Sequence, residues 1–240
     1  MPCILFVFTS ANKTLKGNPT GWYLPEAAHP YYILAPSYSI EFASPAGPNP
    51  PIDEGSVTAF AGDAESVKFL NDETVKSKLA SAKKLSDLKV DDYDAIFYVG
   101  GHGPCMDLAE DPENIAFASK VCDPAQTEPG LIESKFYQTG KVTSAVCHGP
   151  AALVGATDAE GRSIFAGKAV TGFSNEEEGI VKKVDDIPFS LENRIVELGG
   201  MYERAANWQP KVVVSGSLIT GQNPASAAGV GQAILEALTK

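Results

Sequence analysis

Short apolar segments rich in β-forming residues recur along the chain, and several of them end at glycine or polar residues. Segments of helical composition lie between them, as at Asp111-Pro112, where a capping aspartate precedes a proline in the first helical turn. The predicted strands cover residues 4–8, 39–43, 93–99, 142–146, 169–171, 212–214 and 218–220, and the predicted helices begin near residues 25, 73, 111, 131, 191 and 223. Strands that alternate with helices in this way predict a doubly wound, mostly parallel α/β sheet sandwiched by helices.

The predicted arrangement is flavodoxin-like, and in such folds the carboxyl ends of neighbouring strands meet at one crevice where sites form. No repeat, low-complexity tract or linker divides the 240 residues, and 44% of them are hydrophobic. A chain of this length and composition can bury a substantial core. We therefore predict a single domain over residues 1–240.

Charge and cysteine content limit the partners and the compartment. Acidic residues outnumber basic ones by 30 to 19, the formal net charge is −11, and no basic cluster exceeds two residues, so nucleic acid is not an expected partner. The first apolar run has no basic residue before it and is too short to span a bilayer, so no membrane association is expected.

The four cysteines at positions 3, 105, 122 and 147 lack the paired spacing of zinc sites or disulfide frameworks. We therefore expect a reducing compartment, either the cytoplasm alone or both the cytoplasm and the nucleus.

The segment from Lys141 to Pro150 places a cysteine and a histidine directly after a predicted strand. Gly149 and Pro150 fit a sharp turn into a helix, so Cys147 would lie at a strand-to-helix turn like the one that exposes the catalytic serine of many hydrolases. Free N–H groups and the positive helix end would favour the thiolate over the thiol there. The alternative is a small, buried core cysteine, which is the commoner fate of an intracellular cysteine.

A nucleophilic cysteine commonly has an imidazole base that a carboxylate orients. His148 adjoins Cys147, although consecutive side chains usually diverge. Glu26 lies among apolar residues of a predicted helix, where a protonated carboxyl could donate a hydrogen bond to a thiolate; an exposed helix position is the alternative. The glutamates at positions 176–178 follow a predicted strand, and one of them could orient His148; the alternative is a solvated first helical turn.

Three glycines surround His102 at the end of another predicted strand, in the sequence Gly100-Gly-His-Gly103. The loop lacks both the GxGxxG spacing and the lysine of nucleotide-binding loops, so nucleotide binding is not expected. Its functional interpretation is a set of backbone N–H donors that form an oxyanion hole, and the alternative is a tight turn that needs positive φ. His102 with Cys105 is too small a set for a metal site, so we predict no metal and a structural or substrate-lining role for His102.

Five segments, taken in order, resemble the DJ-1/PfpI superfamily and, more narrowly, its fungal heat-shock-protein-31-like group of glutathione-independent glyoxalases. They are Gly21-Trp-Tyr-Leu-Pro-Glu-Ala-Ala-His-Pro30, Gly100-Gly-His-Gly103, Ala145-Val-Cys-His-Gly-Pro150, Thr171-Gly-Phe173 and Thr220-Gly-Gln-Asn-Pro-Ala-Ser226. This resemblance covers nearly the whole chain. It implies a flavodoxin-like single domain and a cofactor-free lyase of the glyoxalase III type, which converts methylglyoxal and water to D-lactate. It also implies a homodimer.

The resemblance further implies a role for each matching residue. Cys147 matches the nucleophile, His148 the neighbouring base, Glu26 the carboxyl that contacts the sulfur, and Glu178 the acid that completes the triad. Gly101 and the backbone of His148 match the oxyanion-hole donors. The expected substrate is a small 2-oxoaldehyde, and neither metal, nucleotide nor glutathione is expected.

One departure from the family pattern and two alternative functions remain open. The stretch before the central strand is longer than the family pattern, which predicts an insertion around residues 123–140 that could reshape the entrance or a subunit contact. One alternative function is a cysteine peptidase or deglycase of the same fold. Glutamine hydrolysis is disfavoured because no histidine follows His148. The other alternative is a redox-sensing holdase chaperone, in which Cys147 oxidises to a sulfinate beside a protonated Glu26.

Overall fold

A seven-stranded sheet forms the centre of the computed structural model, which describes residues 2–119 and 140–239. The strand order is β3-β2-β1-β4-β5-β9-β8, and each neighbouring pair is parallel except the antiparallel pair of β8 and β9. A second, two-stranded parallel sheet joins β6 and β7. The strands are β1 Cys3–Val7, β2 Ser39–Ser44, β3 Lys83–Lys84, β4 Ala95–Tyr98, β5 Val142–Val146, β6 Ala169–Val170, β7 Met201–Tyr202, β8 Val212–Ser215 and β9 Leu218–Gly221.

Helices cover both faces of the large sheet. In the described residues they are α1 Leu24–Leu34, α2 Glu54–Ala59, α3 Ala64–Asn71, α4 Glu73–Ala80, α5 Gly103–Met106, α6 Pro112–Ser119, α7 Asn175–Val181, α8 Leu191–Glu197 and α9 Ala227–Leu238. The predicted doubly wound, mostly parallel α/β fold is therefore confirmed. None of these helices is both long enough and apolar enough to cross a membrane.

The structure differs from the predicted elements in several places, and the short elements β3, β7 and α5 were not predicted. Helices α2 and α3 were not predicted. Both follow a capping aspartate, whose side chain accepts a hydrogen bond from a backbone N–H three residues later. The helix predicted after Pro150 is a short 3₁₀-helix, Gly149–Leu153. The predicted helix at 131–139 and nearly all of the predicted insertion at 123–140 lie outside the described residues.

Alternating side chains of β1 build the two apolar layers. Ile4 and Phe6 face one cluster, which α1, α3 and α9 cover, while Leu5 and Val7 face the other. All four side chains are fully buried. Because both faces of this strand are covered, its sequence is a continuous apolar run, as in the buried strands of parallel sheets.

The strand order reverses between β1 and β4. The chain passes from β1 to β2 on one side of the sheet, whereas β4 leads to β5 on the other side. Val7 pairs with Tyr98, and Tyr98 pairs with Ala145, so these three strands end at one level. A crevice outside such a switch point is the usual binding place in open α/β sheets, and the segments that follow β1, β4 and β5 carry the residues described next.

Candidate active site

The turn after β5 holds Cys147 in a backbone conformation that is unusual for a residue other than glycine. Its φ is 59°, in the left-handed region. The Cys147 N–H donates to the Gly221 carbonyl at 2.9 Å, and the Cys147 carbonyl accepts from the Phe173 N–H at 2.9 Å. Strained conformations of this kind cost about 1–3 kcal/mol and persist where the surroundings fix them. The cysteine therefore lies on a rigid elbow, as the sequence predicted.

A chain of contacts links the thiol to a carboxylate. The Cys147 sulfur lies 3.4 Å from His148 Nδ1, and His148 Nε2 lies 2.6 Å from Glu178 Oε2. All three residues are buried. Burial alone would raise the pKa of Glu178, but charge on His148 and hydrogen bonds from two imidazoles outweigh burial and hold that pKa well below its usual range. Because an ionised carboxylate only accepts hydrogen bonds, His148 donates through Nε2, and when the imidazole is neutral its Nδ1 lone pair faces the sulfur.

Three consecutive glutamates occupy the first turn of α7, and the structure gives each a different environment. Glu178 contacts His148 at the centre of the site. Glu176 is exposed and forms a 2.7 Å ion pair with Arg204. Glu177 is fully buried but points away from the imidazoles. Of the three glutamates that the sequence left open, Glu178 is the one positioned to orient the histidine.

Glu177 organises the loop that carries Trp208. Its Oε1 accepts from the Trp208 N–H at 2.9 Å and from the Asn223 amide at 2.8 Å, while Oε2 accepts from Ser174 Oγ at 2.8 Å and from the Gln222 amide at 3.1 Å. Burial by itself raises the pKa of this carboxyl, but the four donors outweigh it and lower the pKa. Trp208 is held at φ 64°, which requires such support.

Replacing Glu177 by alanine should destabilise the protein by about 2–4 kcal/mol, because several buried donors would lose their acceptor. The free energy of unfolding in urea measures this effect. Glu176→Ala is the matched control, since it removes only an exposed ion pair from the neighbouring position, and we expect little change. Equal destabilisation by the two variants would contradict the anchoring role of Glu177.

A second imidazole shares the Glu178 carboxylate. His102 Nε2 lies 2.9 Å from Glu178 Oε1, and the rings of His102 and His148 are 4.2 Å apart between centroids. Burial, followed by charge on His148, lowers the pKa of His102 to about 4 despite the opposing effect of Glu178. His102 is therefore neutral at neutral pH. The sequence analysis did not predict this contact, because nothing in the local pattern of the glycine loop points to a residue 76 positions away.

Glu26 is fully buried in the first turn of α1, close to the Cys147 elbow. A Cβ atom added at Gly100 would lie 2.2 Å from Glu26 Oε2 and 2.8 Å from Cys147 Cβ, so glycine is needed where these groups meet. Burial raises the pKa of Glu26 well above its usual range. The Cys147 thiol and the Gly100 N–H act in the opposite direction, but neither makes a well-formed hydrogen bond to the carboxyl. The alternative of an exposed helix position is wrong.

Replacing Glu26 by glutamine should change the pH dependence of stability. A carboxyl whose pKa is raised by folding favours the folded state below its unfolded pKa of about 4.3 and loses that contribution as pH rises towards the folded value. The variant does not titrate there, so its stability relative to the wild type should increase as the pH is raised from about 4 into the neutral range. The increase is about 1.4 kcal/mol for each unit by which folding raises the pKa. Urea unfolding across this pH range measures it.

Glu54→Gln serves as the control for this experiment, because Glu54 is an exposed glutamate in a first helical turn. Its effect should vary less with pH. A difference between Glu26→Gln and the wild type that stays constant with pH would show that Glu26 titrates normally.

The thiol itself rests in the protonated form. Burial raises the pKa of Cys147 well above its usual range, and charge on Glu26 raises it further, while the backbone N–H groups of Gly101 and His148 oppose these effects. These surroundings act against the expected preference for thiolate, because the cysteine is buried and only a short 3₁₀-helix follows it. Deprotonation of the thiol therefore has to accompany the reaction. The two expected backbone donors, Gly101 and His148, do lie beside the sulfur.

Aromatic rings pack against the His148 imidazole. The Phe173 ring lies 4.5 Å from the His148 ring, and Trp208 lies 5.8 Å from Phe173. Trp208 is 42% exposed, so it forms the outer part of this stack. No role was predicted for the Phe173 ring, although Phe173 lies in one of the family motifs.

Similarity to known proteins identifies the family. The sequence pattern of the DJ-1/PfpI family matches residues 26–237, which is most of the chain. This protein belongs to the DJ-1/PfpI family. Within the family, it is 30% identical to the glutathione-independent glyoxalase HSP31 of Saccharomyces cerevisiae over an alignment that covers 98% of this chain and 97% of that protein.

Two solved structures of similar proteins extend the comparison. Rapid Encystment Protein 24 KDa of Francisella tularensis superposes on this DJ-1/PfpI chain with a TM-score of 0.86 at 36% identity, covering 99% of both chains. Glyoxalase III of Candida albicans superposes with a TM-score of 0.82 at 28% identity, covering 98% of this chain and 97% of that one. The resemblance seen in the sequence motifs is therefore confirmed over the full length of the fold.

Proposed function

We propose that this protein is a glutathione-independent glyoxalase, a lyase that converts methylglyoxal and water to D-lactate. The observation that carries the proposal is the contact chain from the Cys147 thiol through His148 to Glu178, beside the buried Glu26. Relatives of similar length named as glyoxalases support it. The proposed substrate class is the small 2-oxoaldehydes.

The first proposed step uses the resting thiol. His148 accepts the thiol proton at Nδ1, the ring nitrogen 3.4 Å from the sulfur, and the sulfur adds to the aldehyde carbon of methylglyoxal. The product is a hemithioacetal, whose oxyanion is stabilised by the backbone N–H groups of Gly101 and His148 before it takes from His148 the proton that the thiol gave up, which leaves His148 neutral again. A protonated Glu26 provides a neutral hydrogen-bond donor beside the sulfur during the addition.

The remaining proposed steps move one proton and add one water. His148 removes the hydrogen from the former aldehyde carbon, giving an enediol, and returns a proton to the neighbouring carbon, giving a thioester of lactate. Positioned proton transfer of this kind typically contributes about 10²- to 10⁴-fold in rate. Water then attacks the thioester carbonyl, releases D-lactate and regenerates the Cys147 thiol. These steps use only side chains, backbone donors and water, so the proposed reaction needs no cofactor.

We also propose that the protein is a homodimer and that it is located either in the cytoplasm alone or in both the cytoplasm and the nucleus. The dimer rests on the family resemblance, and the location rests on cysteines without the spacing of a disulfide framework. Light scattering of the purified protein tests the first proposal, and fluorescence microscopy of the tagged protein tests the second.

The decisive experiment for the activity is incubation of the purified protein with methylglyoxal in the absence of glutathione, followed by chiral detection of lactate. We expect D-lactate in excess over L-lactate. If no D-lactate forms but small peptides are cleaved in a manner that depends on Cys147, the protein is a peptidase. Suppression of client aggregation without lactate formation would instead favour the chaperone.

A further inference from the structure

Three buried side chains that could bind a metal ion converge in the active site. His102, His148 and Glu178 place one ligand atom each within 4.8 Å of one another. Both imidazoles direct Nε2 at the same carboxylate, at 2.9 Å and 2.6 Å. In the proposed mechanism His148 is the base and Glu178 orients it, whereas the His102 imidazole has no chemical role.

We propose that His102, His148 and Glu178 form a binding site for a divalent transition-metal ion such as Zn²⁺, and that the bound ion inhibits the enzyme. Two imidazoles and one carboxylate are a donor set that zinc uses in proteins, with the fourth position left to water. Imidazole nitrogen favours zinc, copper and nickel over magnesium and calcium. The inhibitory part of the proposal rests on the proposed glyoxalase function, whereas the binding part does not.

The spacing of the three groups is close to what such an ion requires. Metal–nitrogen and metal–oxygen bonds of about 2.0–2.2 Å in a tetrahedral site put the donor atoms about 3.3–3.6 Å apart. The two nitrogen–oxygen contacts, 2.9 Å from His102 to Oε1 and 2.6 Å from His148 to Oε2, are shorter than this, and the ligand atoms all lie within 4.8 Å of one another. Shifts of about 1 Å in the side chains would therefore bring the two imidazoles and the carboxylate around one ion. His102 is 9% exposed, whereas His148 is fully buried, so the ion and its water ligand would enter on the His102 side.

Metal binding would remove the base from the reaction. In the resting site, His148 carries its ring proton on Nε2 and faces the Cys147 sulfur with the Nδ1 lone pair. An ion bound at Nε2 requires the ring proton on Nδ1, so the same nitrogen becomes a donor towards the sulfur 3.4 Å away. His148 then cannot accept the thiol proton. Inhibition therefore follows from a change of tautomer, without direct contact between the metal and the cysteine.

The chain offers an internal control for the binding measurement, because His29, His102 and His148 are its only histidines. His29 lies in α1 and is paired with Asp63 at 2.9 Å, apart from the active site. Wild-type protein freed of metal with a chelator and titrated with ZnCl₂ against a chromophoric competitor should bind one ion per chain. His29→Ala should bind with unchanged affinity. His102→Ala and Glu178→Gln should each bind at least about 10- to 100-fold more weakly, the loss typical even for residues outside the ligand set.

Cys147→Ala distinguishes this site from a thiolate site, since the sulfur is not a proposed ligand. We expect it to bind zinc as tightly as the wild type. Loss of zinc binding in Cys147→Ala, or unchanged binding in His102→Ala, would overturn the assignment. Zinc binding by His102→Asn and thermal unfolding of each variant are the controls for misfolding. Weaker zinc binding by a variant that unfolds at the wild-type temperature would show the loss of a ligand.

The activity measurement then tests the inhibition. Lactate formation by the wild type should fall as ZnCl₂ is added, recover with chelator, and remain unchanged with MgCl₂. One zinc ion bound at these residues with undiminished lactate formation would overturn the inhibitory role. If the protein produces no lactate at all, the proposed function fails, and the binding titration alone still decides whether the metal site exists.

Discussion

Cys147→Ala is expected to lower kcat/KM for D-lactate formation from methylglyoxal by about 10³-fold or more, as loss of a covalent nucleophile typically does. The physical reason is that no other described thiol lies at the elbow where the imidazole, the buried carboxyl and the backbone donors meet. Without the sulfur, no hemithioacetal forms, and the imidazole has no bound substrate from which to move a proton. Chiral lactate detection at several methylglyoxal concentrations measures the change.

The control for this variant is Cys3→Ala. Cys3 begins β1, so it lies at the amino end of the sheet, opposite the edge where the site forms. We expect activity within about twofold of the wild type, as for a substitution distant from the reacting groups. Cys147→Ala that retained the wild-type rate would refute the nucleophile assignment, and equal losses in the two variants would indicate a general effect on folding.

Glu178→Gln should lower kcat by about 10²- to 10⁴-fold, the range found when the carboxylate that orients a catalytic histidine becomes an amide. An amide can still hydrogen-bond to His148, but it can also donate its N–H to Nε2, which leaves the ring proton on Nδ1, the nitrogen that faces the sulfur. The substitution also removes the negative charge that stabilises an imidazolium after the thiol proton moves. Because Glu178 acts through His148, we classify it as a positioning residue.

Two measurements separate this role from a structural one. The loss should fall on kcat with a smaller change in KM, because the proposed mechanism places no substrate contact on Glu178. Glu176→Gln, a substitution two positions earlier in the same helical turn, removes only an exposed ion pair and should leave kcat near the wild-type value. Wild-type kcat in Glu178→Gln, or a larger loss of kcat in Glu176→Gln than in Glu178→Gln, would show that Glu178 is not the triad acid.

The outcome for the three glutamates shows how far sequence patterns reach. The sequence placed an acidic turn after a strand and left three residues as candidates for the acid. Successive side chains on a helix are about 100° apart, so only one of the three can face a given imidazole. Which one does so depends on how α7 is rotated against the sheet. Packing and the capping box that joins Ser174 to Glu177 fix that rotation.

The sequence by itself determined the α/β architecture, the elbow at Cys147 and the order of the motifs, because these depend on local periodicity, on turn residues and on residue types at fixed spacing. Only the tertiary structure decided that Glu178 bonds both His148 and His102, that Glu26 is buried, and that the resting cysteine is a thiol. Each of these depends on distances and solvent exclusion between segments far apart in the chain. Such contacts arise when β1, β4 and β5 end together, which no local pattern specifies.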